Sequence, residues 1–134
     1  MKKLLSKKQV YQVKSVPYDP LMIDEPKAAG EYRRRGTAHY ARKHYQEAAA
    51  DLEQAIRLES NNIDAFYVLG MVYKAMQRNE SSVSAFTQVL ELLKNQPKGN
   101  KTQNDMLRRL ALGHINSLTQ GDWNLEKEIW QRIT

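Results

Sequence analysis

The chain of 134 residues contains no cysteine. That excludes disulfides, a thiolate nucleophile and any cysteine-ligated metal site. Long apolar runs are missing as well; none approaches the ~20 residues needed to cross a bilayer. The opening MKKLLSKKQV is basic, but Leu4 and Leu5 give way at once to Ser6, Lys7 and Lys8. A secretory signal needs an apolar stretch of about 7–15 residues, so a cytoplasmic location is expected. Histidine is scarce. His39 and His44 stand five apart on either side of an expected turn, without the one-face spacing of a metal pair, and His114 is remote in sequence. Neither a metal site nor a cofactor is expected. No nucleophile, base and orienting group can be assembled, so the chain does not read as an enzyme. The segment PKGNKT at 97–102 lacks the paired glycines and preceding strand of a phosphate loop, and reads as a plain loop.

Proline is rare but clustered. Pro17, Pro20 and Pro26 punctuate VPYDPLMIDEP, and each disfavours helix in the residue before it. Residues 1–27 therefore read as an extended, basic leader. It carries Tyr18, Leu21, Met22 and Ile23, which predicts packing against the following domain or a partner. The net charge is +6, and Lys2, Lys3, Lys7, Lys8 and Lys14 all precede the first acid, Asp19. Such an arm either steers the chain to an anionic surface through its long-range field or simply keeps a tail solvated.

What is present in abundance is periodicity. Gly36 in RRRGTAHY and Gly70 in YVLGMVY lie 34 residues apart (70 − 36), and Tyr32 with Phe66, Leu52 with Phe86 and Ala55 with Val89 keep the same interval. Val83, Phe86, Leu90 and Leu93 form one stripe of an amphipathic helix. Glycine at one helix and small residues such as Ala48 and Ala55 at the other let two helices cross closely. These positions and this interval resemble the tetratricopeptide repeat (TPR) family, whose period is 34 residues. The second stretch supplies Phe66, Leu69, Gly70, Tyr73 and Phe86 of the family pattern; the first supplies Tyr32, Gly36, Ala48, Leu52 and Ala55. Departures are Arg35 at the leucine position, His39 at the tyrosine position, Ser82 and Val89 at alanines, and Ser60 and Lys94 where proline is usual. Arg35 is expected to pack its stem and leave its head in water. Ser81 or Ser82 is expected to cap the second helix of its hairpin.

The resemblance implies an all-α fold, a right-handed superhelix of antiparallel helical hairpins over residues 28–134, preceded by the leader. Repeats are expected at about 29–62 and 63–96, with a degenerate capping hairpin at about 104–134. In that last hairpin Leu112 and Gly113 are matched to Leu69 and Gly70, 43 residues earlier (113 − 70), implying nine inserted residues. Gly121 and Asp122 would make its turn, and Trp123 and Trp130, seven apart, its packed face.

The function the resemblance implies is a non-catalytic protein–protein interaction module, a scaffold or assembly subunit that binds a partner segment in its concave groove. The concave positions are Arg33, Arg34, Thr37, Tyr40, Tyr67, Val68, Met71 and Lys74, with Asp64 and Ala75 beside them. Tyr67, Val68 and Met71 would accept an apolar anchor, flanked by basic residues; a partner or this chain's own leader would fill the groove. The carboxylate clamp of chaperone-binding relatives would need lysine, asparagine and arginine at Arg33, Thr37, Val68, Leu107 and Ala111. Only Arg33 qualifies, so the clamp is absent. A second reading, from another class, is a nucleic-acid-associated accessory factor using the leader lysines and Arg33–Arg35, although Tyr11 is the only aromatic among those lysines.

Overall fold

The computed structural model describes residues 19–96 and 101–121. The leader lysines, Tyr11, Tyr18, Trp123 and Trp130 lie outside the described residues. The described chain is all helical: a 3-10 turn at Pro20–Met22, then α1 (Ala29–Ala41), α2 (Tyr45–Leu58), α3 (Ile63–Ala75), α4 (Asn79–Lys94) and α5 (Lys101–Gln120). α1 pairs with α2 and α3 with α4, while α3 also packs on α2 and α5 on α4.

The 34-residue interval recurs in the backbone. Each hairpin turns through one residue in the left-handed region, Lys43 (φ 64°) and Gln77 (φ 60°), 34 apart (77 − 43). In each, the next backbone N–H reaches back to the end of the first helix: His44 N to His39 O at 2.8 Å, and Arg78 N to Tyr73 O at 2.9 Å. Such bonds satisfy carbonyls that a helix end would otherwise leave bare. α3 is started by Asn62, whose side chain accepts from Ala65 N at 3.1 Å. α1 has no such cap, but Glu31 in its first turn accepts from Lys27 N.

Two apolar clusters hold the helices. Ala48, Ala49, Leu52 and Ala55 of α2 meet Ala65, Leu69 and Val72 of α3. Phe86, Val89 and Leu93 of α4 meet Ala111 of α5, with Leu107, Ile115 and Leu118 packed against them. The glycines set the closest approaches. A Cβ at Gly36 would fall 2.9 Å from Leu52 Cγ, and one at Gly70 would fall 2.8 Å from the Phe86 ring.

Four details differ from the sequence reading. Ser82 does not cap α4; it is buried and donates its hydroxyl to Gly70 O at 2.7 Å, satisfying both groups where the family has alanine. The head of Arg35 is not in water. Its Nε and Nη2 grip both oxygens of Asp51 at 2.7 Å, and Nη1 donates to Ile23 O at 2.8 Å. Asp51 needs that partner, because its side chain is only 9% exposed. The leader is not extended throughout. Asp19 accepts from Leu21 N and starts the turn at Pro20, and Arg42 pairs with Asp19. The turn thus docks on α1 through polar groups, while Met22 stays 77% exposed. Finally, Lys101 and Thr102 belong to α5 rather than to a loop.

Two stability measurements test this account. Gly70→Ala should lower the unfolding free energy by about 1–2 kcal/mol, because overpacking the Phe86 contact exceeds the gain in helix propensity. Gly30→Ala, whose added Cβ meets only Arg34 Nη2 at 3.8 Å, should instead raise it by roughly 0.5 kcal/mol. Arg35→Leu, which restores the family residue, should cost about 2–4 kcal/mol by stranding Asp51. The double variant Arg35→Leu/Asp51→Leu should recover most of that loss, and a denaturant series on the three chains reads the difference.

Candidate functional site

The first helix of each hairpin, α1 and α3, is followed along the array by α5, and the residues expected on the concave side belong to this row. Tyr40 of α1 and Tyr67 of α3 are half-buried and electrostatically within reach of each other; burial pushes both phenols above their ordinary range, and Tyr40 raises Tyr67 further. Tyr67 in turn meets α5, its hydroxyl 3.3 Å from His114 Nε2. The row Tyr40, Tyr67, His114 therefore crosses three helices.

His114 is the residue that sequence reasoning missed. Its ring stacks on Phe86 with centroids 4.7 Å apart and planes 9° from parallel. Lys74 Nζ lies 3.2 Å from His114 Nδ1. An ammonium only donates, so Nδ1 accepts and the ring proton sits on Nε2, where it donates to the Tyr67 hydroxyl. Burial, with the Lys74 charge adding to it, lowers His114 to about 4, so the imidazole is neutral near neutral pH. The one available signal was the spacing of His114 from Leu107, Ala111 and Leu118, which places it on the packed stripe of α5.

The other expected residues fall into two groups. Val68 packs against the α2–α3 cluster and Met71 against the α4–α5 cluster, so their apolar surface is divided between two cores. Arg33 is half-buried and Arg34 exposed; Thr37 turns its hydroxyl back to donate to Arg33 O at 2.8 Å. Of the positions tested for a carboxylate clamp, Ala111 is fully buried. Arg35 is held by Asp51 and the leader carbonyls, which separates it from Arg33 and Arg34 as a binding group.

A different face of α3 lines a cleft of ≈550 Å³ shared with α4, walled by Phe66, Leu69 and Tyr73 on one side and Ser81, Ser84 and Gln88 on the other. Tyr73 donates to Glu53 at 2.6 Å; burial and that bond push its phenol up to about 12, and the Arg78 guanidinium over its ring opposes the rise. Among the described residues no helix is long and apolar enough to cross a membrane, and no group of three or more metal-ligating side chains is assembled.

Paired antiparallel helices repeating every 34 residues, with glycine at each crossing, define a helical-repeat protein. Residues 36–77 match the family model described as TPR repeat, and residues 63–95 match the model described as tetratricopeptide repeat. The chain is a tetratricopeptide repeat protein. Among solved structures, the crystal structure of MamA is similar, with a TM-score of 0.50 and 25% identity over 80% of this chain. The match spans 62% of the MamA chain, so this chain covers less than two thirds of that one. No curated protein matches the chain.

The Tyr67–His114–Lys74 contact makes stability depend on acidity. His114 binds a proton less readily folded than unfolded, so its contribution is complete above about pH 6.5, the unfolded imidazole value. It is lost as pH falls from there toward about 4. His114→Gln should therefore lose less stability than the native chain between neutral pH and pH ~5. Paired thermal melts at the two pH values measure that difference directly.

Proposed function

We propose that this chain is a non-catalytic interaction module whose row of first helices receives a segment of a partner protein. The reading rests most on the Tyr40–Tyr67–His114 row, which continues across three helices, with Lys74 at His114 and with Arg33 and Arg34 on the same helix as Tyr40. Tyrosines offer a wide, partly apolar surface with a polar tip at low conformational cost. The exposed guanidinium of Arg34 supplies charge without first having to break a buried pair, in contrast to Arg35. Because Val68 and Met71 are largely used in packing, recognition on this reading leans on tyrosine hydroxyls and basic groups, with an acidic partner segment favoured. The tetratricopeptide fold supports protein partners as a class, and neither matching family model is that of an enzyme. A scaffold or complex-subunit role in the cytoplasm is consistent with this reading.

The nucleic-acid alternative is weakened at one point. Arg35, a third of its arginine cluster, is committed to Asp51.

Affinity capture from native lysate, at two salt concentrations and with or without nuclease, tests the proposal. Protein partners should persist through nuclease, and Arg33→Glu/Arg34→Glu should reduce their recovery about tenfold or more, as expected for reversing charges at an acidic contact. Full recovery by that variant would defeat the proposed face. Recovery of nucleic acid that vanishes with salt would transfer the function to the leader lysines.

A further inference from the structure

α5 is buried on two sides. Ala111 is fully buried in the cluster with Phe86, Val89 and Leu93 of α4. Gly113 and Asn116 stand about 200° and 140° around the helix from Ala111, on its outer side. Both are nevertheless buried, Asn116 to 4% exposure. Among the described helices α4 packs along α5, and α3 reaches it at His114; neither lies on the outer side. Met106, seven residues before Gly113 and so on the same face, is 56% exposed. The cover therefore lies over the second half of α5 and stops short of Met106. We propose that residues 122–134 are this cover, an intramolecular cap that returns along α5 from Gly121 and turns Trp130 and Ile133 onto its outer side.

Direction is the first argument. α5 ends as α1 and α3 do, at a residue in the left-handed region: Gly121 has φ 82°, beside 64° at Lys43 and 60° at Gln77. Those two residues send the chain back along the helix just finished. Asp122 then stands where His44 and Arg78 precede α2 and α4, and aspartate is the better helix starter. Length is the second. Residues 122–134, wound as a helix, span about 20 Å, which matches α5 from Gln120 back to Arg108 and leaves Met106 uncovered. Register is the third. Nine and twelve positions after the left-handed residue, α2 has Leu52 and Ala55 and α4 has Phe86 and Val89, all fully buried. After Gly121 those positions hold Trp130 and Ile133. Trp123 matches Tyr45 and Asn79, which are half-buried and exposed, so the two tryptophans are not equivalent. One position differs. Glu126 stands where Ala48 and Ser82 are fully buried, so the cap cannot cross α5 as closely as the helices cross at Gly36 and Gly70. The Trp130 ring is large enough to fill the wider gap. The cap stands whether or not the concave row receives a partner.

Trp123 and Trp130 are the only tryptophans in the chain, so tryptophan emission reports on this segment alone. Each is read singly in the full chain, Trp130 in the Trp123→Phe variant and Trp123 in Trp130→Phe. Trp130 should emit to the blue of its denatured value, and acrylamide should quench it several-fold more slowly than in denaturant. Trp123 should be clearly the more quenchable of the two. In the Trp123→Phe background, Gly113→Glu should lose the Trp130 protection by forcing a charged side chain under the cap, with circular dichroism checking that the helices remain. Met106→Glu, beyond the reach of the cap, should leave it unchanged. Trp130 quenched as fast in the native chain as in denaturant overturns the proposal, and so does a Trp123 better protected than Trp130. Protection that fades on dilution also overturns it, since the cover would then be a second copy bound by mass action. Retained protection in Gly113→Glu places the segment elsewhere and counts against it equally.

Discussion

Two helices approach most closely where one of them lacks a side chain, and in this chain that condition is met at Gly36 against Leu52 and at Gly70 against Phe86. Much else depends on those two approaches. They bring α1 to α2 and α3 to α4, and the left-handed residues Lys43 and Gln77 return each chain with the same short turn. Hairpins built alike then stack alike, each covering the apolar side its predecessor leaves open. Ser82 makes the second crossing firmer still, because its hydroxyl bonds to the carbonyl of Gly70 at the point of closest approach. A residue that departs from the family pattern thus reinforces the contact that defines the pattern.

Arg35 shows the opposite kind of departure. Where a leucine would pack, the chain places a charge, and the fold answers with Asp51 from α2. A buried ion pair seldom adds much stability over a well-packed apolar pair, but losing one partner is costly. Its consequence here is positional. The guanidinium spans three segments, binding Asp51 on α2 from its place on α1 and holding the carbonyl of Ile23 in the leader. The basic trio Arg33–Arg35 is consequently split: Arg35 is held by Asp51 and the leader, while Arg34 is exposed.

The 34-residue interval was legible because it is carried by residue types whose role is local and steric: glycine, small residues and aromatics at fixed offsets. Ion pairs and polar contacts between distant residues were not. Nothing in the sequence around Arg35 names Asp51, sixteen residues on (51 − 35), as its partner. The hydroxyl of Ser82 was assigned to a cap because serine near a helix start usually serves there, yet its place on the buried face decided otherwise. Likewise the contact between His39 and His44 was not legible at a spacing of five, since helical geometry does not apply across a left-handed turn.

The concave row illustrates how an array can trade binding surface for cohesion. Tyr67, Met71 and Lys74 are expected on a groove, yet Tyr67 and Lys74 converge on His114 and Met71 joins the α4–α5 cluster. Each contact that draws α5 onto α3 reduces the apolar area left for an extended partner. The polar ends of these side chains gather at one point as they do so. His114 stays neutral because Phe86 stacks against it and Lys74 stands beside it, so the junction is held by directed hydrogen bonds rather than by a second ion pair. Directed bonds fix the relative placement of α3 and α5 more sharply than apolar contact alone, since they fail once geometry drifts. On the function proposed above, a row joined by such bonds would read the shape and charge of a partner segment more than grip it by a deep hydrophobic anchor.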